Sequence, residues 1–284
     1  MITKLDIPAI RTREQQNLIQ TLAVLLQRDD RVKAAWISGP IARGEDDWLS
    51  DIDLYIAVAD ESIEDIVYSR HEFAARFMTP TLSMDQMRNA TPRGGYLLVH
   101  YPGEYGPQHV DWCWQPESLA NFSDNGLLLF DKVGLPVVDG KVWVKHMHQT
   151  GSRSPIDSTD SSDLATHNLQ FFWAISLIFA KYIVRGDDQT VGRMMGLINE
   201  RLIGSSSRWG SQSVHPESQV VRSQVRWTQF QVLRGASDRA KSLHGDLGGR
   251  GVVVPAEAIA EVERFFDACE SVVVVQPSVG SEQW

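Results

Sequence analysis

The spacing of apolar residues changes midway along this chain, and that change constrains the fold more than any other feature of the sequence. Up to about residue 138, apolar residues form short runs, several of which alternate with polar residues and end at turn-forming residues. Such runs predict β-strands separated by turns. Beyond residue 163, apolar residues recur at steps of three and four over longer stretches, which predicts helices.

These two spacings predict a sheet with helices, followed by a group of helices. Strands are expected at 32–38, 51–58, 81–84, 96–101, 108–114 and 127–130. Helices are expected at 13–28, from 62 to about 77, and at 163–185, 188–203, 217–234 and 255–271. Thr12 and Gln15 have the spacing of a capping box, which predicts that the first helix begins beside them. The predicted fold class is therefore α+β, with a mixed sheet and helices first and an all-α helical bundle second.

A linker is predicted between the two halves. Residues 151–163 are dominated by glycine, serine, proline and aspartate, which form turns and bury little apolar surface. A chain of 284 residues also favours two domains, because domains commonly hold about 100 to 200 residues. We expect one domain at 1–150 and a second, helical domain at 151–284 that contributes to the substrate cleft.

Charge and composition narrow the range of partners. The net charge of −9 argues against broad binding to nucleic acid and fits a cationic small molecule, although solubility alone also explains an acidic balance. The two cysteines, Cys113 and Cys269, lie in apolar surroundings and indicate a reducing compartment. The first residues lack the apolar core of a signal peptide, and the longest apolar run is interrupted by Lys181. We expect a cytoplasmic protein with no membrane partner.

A glycine turn at Gly39 stands shortly before two aspartates, Asp51 and Asp53. Side chains alternate along a strand, so both carboxylates are expected on one face, with their Cα atoms roughly 6 to 7 Å apart. Paired carboxylates bind hard divalent cations, and a turn that leads into a short helix near 41–44 directs N–H groups at a phosphate. The alternative is that Asp51 caps a turn and Asp53 is an exposed strand residue.

A third carboxylate from a neighbouring strand would complete a site for two cations. Asp111 is the best candidate, because it stands in a predicted strand between Val110 and Trp112. A carboxylate is costly to bury unless it is paired, hydrogen-bonded or bound to a metal. The alternative is an aspartate on an edge strand that faces solvent.

Residues 38–54 resemble the signature of the DNA polymerase beta-like nucleotidyltransferase superfamily, and are most similar to that of the antibiotic nucleotidyltransferases. In that family the turn reads Gly-Ser-aromatic-Ala-Arg-Gly-Glu before Ser-Asp-Ile-Asp. The matching residues are Ala42, Arg43, Gly44, Glu45, Ser50, Asp51, Ile52 and Asp53. The resemblance extends over residues 32–137, since 127–135 resemble the closing strand and turn, and the second half matches in architecture only. Pro40 departs from the pattern, because it replaces a serine and supplies neither a hydroxyl nor an N–H.

The resemblance implies transfer of a nucleoside monophosphate, typically AMP from ATP, to a hydroxyl of a small, aminoglycoside-type acceptor. Two Mg²⁺ ions would be held by Asp51, Asp53 and Asp111. Asp111 would act either as a metal ligand or as the general base, and Glu104 on the preceding loop is a second candidate for the base.

The resemblance also implies that Gly39, Arg43 and Lys181 bind the nucleotide. Ser38 and Ser50 are predicted to join them, in compensation for the serine that Pro40 replaces. For Lys181 the alternative is a lysine whose stem is buried while its ammonium group reaches solvent. Two other functions stay open: modification of a protein or RNA, as in antitoxin-type enzymes, and a catalytically silent nucleotide-binding module, which Pro40 favours. The acceptor, the preferred nucleotide and the oligomeric state are not specified by the sequence.

Overall fold

A computed structural model describes residues 6–139, 161–203, 219–248 and 254–274. Residues 8–139 belong to one compact unit, and the helices from Ser161 onward belong to a second. The first unit contains a mixed sheet with helices, and the described residues of the second are almost all helical, so the α+β class is confirmed. The domain boundary predicted at 150/151 lies outside the described residues.

The first unit contains the strands that the alternating pattern predicts. The strands are β1 Val32–Ser38, β2 Ile52–Val58, β3 Leu82–Asp85, β4 Gly95–Tyr101, β5 Gln108–Pro116, β6 Phe122–Ser123, β7 Leu127–Asp131 and β8 Val137–Val138. The helices are α1 Asp6–Gln27, α2 Gly39–Arg43, α3 Ile63–Tyr68 and α4 Arg70–Ala75, with 3-10 turns at Met87–Asn89 and Glu117–Leu119. Each strand predicted between 32 and 130 is confirmed to within one or two residues.

Two helix predictions in this unit are wrong in detail. Helix α1 begins at Asp6, so Thr12 and Gln15 lie inside it and do not form its cap. The Gln15 amide instead donates to the carbonyl of Ser50, 2.8 Å away, on the loop before β2. The single helix expected at 62–77 is divided at Ser69, whose hydroxyl donates to the carbonyl of Asp65 and competes with continuation of the helix.

Six strands form one sheet in the order β3-β4-β5-β2-β1-β7. The central pair, β2 and β5, is parallel, and the other pairs in this sheet are antiparallel. Strands β6 and β8 form a separate short parallel pair. The parallel register places Asp53 of β2 opposite Asp111 of β5, and the antiparallel register places Ser38 of β1 on the other side of Asp53.

The main core lies on one face of this sheet. Alternate residues of β2 and β5, including Ile52, Leu54 and Val110, pack there with α1, α3 and α4. Burying each such aliphatic side chain contributes about 1.5 to 3 kcal/mol before the entropy cost of ordering it. The opposite face carries a smaller apolar cluster that includes Tyr55 and Cys113, and next to these residues the same strands carry Asp53 and Asp111.

The second unit contains the helices that the sequence periodicity predicts. They are α5 Ser161–Arg185, α6 Asp188–Ile203, α7 Gln219–Gly248 and α8 Ala256–Val274, and α5 contacts the other three. Helix α7 continues well beyond the predicted end at residue 234. A single glycine, Gly235, costs only about 1 kcal/mol within a helix, and burial of the neighbouring Leu233 and Ala236 offsets that cost. Among the described helices, none has the length and apolar character needed to cross a membrane.

Candidate functional site

The structure places two of the three sequence-predicted carboxylates, Asp53 and Asp111, side by side on the sheet face opposite α1, and places Asp51 near a histidine that contacts Asp111. Asp53 and Asp111 are register partners in adjacent parallel strands, and alternation turns both side chains away from the main core. Asp51 directly precedes β2, and its Oδ1 lies 3.4 Å from Nδ1 of His109, a ring that also contacts Asp111. The side chains of Asp51 and Asp111 are only 27% and 19% exposed, so neither is an ordinary solvated surface residue.

Asp53 is the carboxylate in this group whose ionisation is disfavoured by its surroundings. Burial, together with the charge of Asp111, raises the pKa of Asp53 to about 7, while His109 and Arg43 act in the opposite direction. A carboxylate held in this way gains most from a nearby positive charge. The surroundings of Asp53 therefore disfavour its ionisation, and a nearby positive charge would offset that cost.

His109 is a site residue that the sequence reasoning missed. Its ring is buried, and Nε2 lies 3.0 Å from Oδ1 of Asp111. A carboxylate oxygen accepts hydrogen bonds, so this contact fits a ring that carries a proton on Nε2. The spacing of His109 and Asp111, two residues apart on β5, was a signal that both face the same side of the sheet.

Two residues of the neighbouring strand β4 complete this environment. The hydroxyl of Tyr96 is hydrogen-bonded to Asp111, and burial, followed by the charges of Asp111 and Asp53, keeps the pKa of Tyr96 well above its usual value. His100 pairs across the strands with His109, with ring centroids 5.2 Å apart. Burial, assisted by His109, holds the pKa of His100 well below its usual range, so His100 is neutral.

The glycine turn lies directly against the carboxylates. Gly39 has a φ of +72°, and a Cβ built on it would lie 2.2 Å from Oδ2 of Asp53. Both observations require glycine, because a side chain would be strained by the backbone and would collide with the carboxylate. Pro40 occupies the first turn of α2, where its missing N–H costs no helical hydrogen bond. Ser38 precedes this helix without a side-chain capping bond.

Arg43 and Ser50, both predicted to bind nucleotide, already have protein partners in the structure. Nε of Arg43 lies 2.6 Å from Oε2 of Glu45 at an exposed position, where such a pair contributes little to stability. The Ser50 hydroxyl accepts from the N–H of Asp47 and lies 3.1 Å from its carboxylate, so it closes the loop before β2. Glu104 is exposed on the loop before β5, and its main-chain N–H donates to Glu14.

Lys181, the remaining predicted nucleotide-binding residue, lies on α5 in the second compact unit. It is 2% exposed. Its role as a nucleotide-binding residue stays a prediction.

Arg11 connects α1 to both loops that enter the site. This buried guanidinium donates to four main-chain carbonyls, those of Trp48, Tyr105, Gly106 and Pro107, at 2.7 to 3.3 Å. The first carbonyl belongs to the loop before Asp51, and the other three belong to the loop before His109. The position of both loops therefore depends on one side chain, which no sequence motif singles out.

The donor set fits a hard divalent cation, since carboxylate oxygens are the ligands such ions prefer. The residues that would hold it are Asp51, Asp53 and Asp111. These side chains are of the right chemical type, but within the described ranges no group of three or more His, Cys, Asp or Glu residues is placed so that it could hold a metal ion. In this arrangement His109 lies against two of the three carboxylates. No protein-family model matches this chain, and no curated protein matches it either.

Proposed function

We propose that this protein is a nucleotidyltransferase of the DNA polymerase beta-like type. It transfers a nucleoside monophosphate, AMP from ATP, to a hydroxyl of a small acceptor with two Mg²⁺ ions. The observation that carries the proposal is the pairing of Asp53 with Asp111 in parallel register, beside Asp51 and against the Gly39 turn. The antiparallel pairing of β1 with β2 and the parallel pairing of β2 with β5 place Ser38 and Asp111 on either side of Asp53.

In the proposed reaction, the acceptor oxygen attacks the α-phosphorus of the nucleoside triphosphate. A new oxygen–phosphorus bond forms, the bond from the α-phosphorus to the bridging oxygen breaks, and pyrophosphate leaves. When bound, the metal ions neutralise phosphate charge and stabilise the attacking and leaving oxygens. The hydroxyl proton passes to a carboxylate base, for which Asp111 and Glu104 are the candidates.

The acceptor class is inferred from charge. The chain carries a net charge of −9, and Asp46 is exposed just after the glycine turn, next to a Glu45 that is paired with Arg43. Acidic groups at the entrance to a site raise the local concentration of cationic molecules. This favours a hydroxylated, amine-bearing acceptor of the aminoglycoside type.

Mass spectrometry of a transfer reaction tests the proposal. The full chain is incubated with Mg²⁺, each of the four nucleoside triphosphates in turn, and a panel of aminoglycosides and lincosamides. We expect one acceptor to gain the mass of a nucleoside monophosphate, with release of pyrophosphate. D111N should lower the rate by about a thousandfold, since a lost metal contact costs several kcal/mol of transition-state stabilisation.

Glu64 on α3 supplies a matched control, because it is an exposed carboxylate on a helix of the opposite sheet face. E64Q should retain the wild-type rate. Mass gain on the protein itself would indicate the protein-modifying alternative. Transfer that persisted in D111N would contradict the assigned site.

A catalytically silent nucleotide-binding module is the second candidate, and Pro40 is the observation that favours it. Proline at this position of α2 offers neither a hydroxyl nor an N–H to a phosphate. The same assay separates the two, since a silent module binds nucleoside triphosphate without consuming it.

A further inference from the structure

We propose that His109 is a positioning residue that sets the separation of Asp51 and Asp111 for cation binding. This inference rests on the proposed function, because it concerns the same three carboxylates. His109 lies two residues before Asp111 on β5, whereas Asp51 lies on the loop that precedes β2. One ring therefore contacts carboxylates from two different segments of the chain.

The geometry of the contacts supports a positioning role. Nε2 lies 3.0 Å from Oδ1 of Asp111, and Nδ1 lies 3.4 Å from Oδ1 of Asp51, on the other side of the ring. The contact between Nε2 and Asp111 is a hydrogen bond. The contact between Nδ1 and Asp51 is within ion-pair distance but is not a hydrogen bond. Since the ring is rigid and planar, fixing it against one carboxylate fixes how closely the other can approach.

The surroundings hold the ring in place. The His109 side chain is 1% exposed and lies beside the fully buried His100 on the neighbouring strand. Tyr96, also on that strand, contacts the same carboxylate that His109 contacts. His109 is thus enclosed by the sheet on one side and touches the carboxylates on the other, which is how residues behind metal ligands orient them.

The charges explain why such a residue is needed. Asp53 and Asp111 are adjacent in register and repel each other when both are ionised. A group that contacts these carboxylates from within the protein limits how far the repulsion can displace them. His109 supplies contacts to two of the three carboxylates.

Three substitutions of His109 test this inference through Mn²⁺ binding, measured by isothermal titration calorimetry without nucleotide. Leucine removes both nitrogen contacts and fills similar space. Glutamine places an amide nitrogen near the position of Nε2, and asparagine places one near the position of Nδ1. We expect H109L to bind Mn²⁺ about tenfold more weakly than wild type, the size typical for loss of a group that orients a metal ligand.

The two polar variants make the test specific. H109Q keeps a donor toward Asp111 and should bind Mn²⁺ more tightly than H109N, which keeps only the longer contact toward Asp51. V99A is the control for packing, because Val99 is buried on the opposite face of β4. It should lower the melting temperature and leave Mn²⁺ affinity unchanged.

Each result has a distinct meaning. Equal or tighter Mn²⁺ binding by H109L, with folding shown by circular dichroism, would overturn the positioning role while leaving the proposed function intact. Equal affinities of H109Q and H109N would also overturn it. Failure of the wild-type protein to bind Mn²⁺ would instead remove the cation site on which the proposed function depends.

Discussion

Replacing Asp53 with asparagine is expected to abolish nucleotidyl transfer and, in the absence of divalent cations, to make the protein more stable above neutral pH. Burial and the charge of Asp111 raise the pKa of Asp53 to about 7, compared with 3.8 for an unperturbed aspartate. Between these two values the folded protein binds a proton that the unfolded chain releases. Stability from this group is therefore present at low pH and is lost as the pH rises through about 7.

The expected gain in the free energy of unfolding follows from the difference between the pKa of Asp53 in the folded protein and in the unfolded chain. Ionising Asp53 in the folded state costs up to about 4 kcal/mol once the pH exceeds its raised pKa. Asparagine has nearly the same shape and carries no charge, so D53N should recover part of that cost. Transfer should fall by about a thousandfold, because a metal-binding carboxylate is lost.

Urea unfolding with a chelator present, at pH 5 and at pH 8, measures the change in the free energy of unfolding. D53N should be more stable than wild type by about 1 to 4 kcal/mol at pH 8, with a smaller gain at pH 5. D30N is the matched control, because Asp30 is exposed, and it should stay within about 0.5 kcal/mol of wild type. A D53N protein that is less stable than wild type at pH 8 would show that the carboxylate is satisfied in the folded state.

Replacing Arg11 with methionine is expected to destabilise the first unit strongly and to weaken cation binding. The Arg11 guanidinium is buried and donates to four main-chain carbonyls in two loops. Methionine has a similar length but donates no hydrogen bond, so buried carbonyls would be left without a partner. We expect a loss of about 3 to 5 kcal/mol in the free energy of unfolding, since each such group costs about 1 to 3 kcal/mol and these costs are not additive.

The same substitution should reduce Mn²⁺ affinity, because the loops that Arg11 holds lead directly to Asp51 and His109. R11K should rescue little, as a lysine ammonium group cannot reproduce a planar fork that donates to several carbonyls at once. R13M is the control, since Arg13 lies two residues away on α1 and is exposed. A fall of less than about 1 kcal/mol in R11M would contradict the assigned role of Arg11.

The strands of this protein were predictable because each is a local pattern. Ile52 to Val58 and the apolar run from Val32 to Ser38 are short apolar stretches that predict strands, and the structure has both strands, each buried on both sides over most of its length. The glycine turn was also predictable, although the reason for glycine became clear only from the contact between Gly39 and Asp53. The start of α1 was not predictable, because residues with the spacing of a capping box also occur inside helices.

Contacts between distant segments were beyond local patterns. The proximity of Asp53 and Asp111 was expected from a family resemblance, since the parallel pairing of β2 and β5 cannot be read from either strand alone. Tyr96 and Arg11 were missed for the same reason. Their partners lie on segments 15 or more residues away, and only the strand order and loop paths bring them together.

The most direct test of the central claim is anomalous X-ray scattering from crystals grown with Mn²⁺ and a non-hydrolysable nucleoside triphosphate. We expect Mn²⁺ peaks within coordination distance of carboxylate oxygens of Asp51, Asp53 and Asp111, in contact with the triphosphate. A bound triphosphate with no Mn²⁺ at these three aspartates, or with Mn²⁺ held elsewhere, would contradict it.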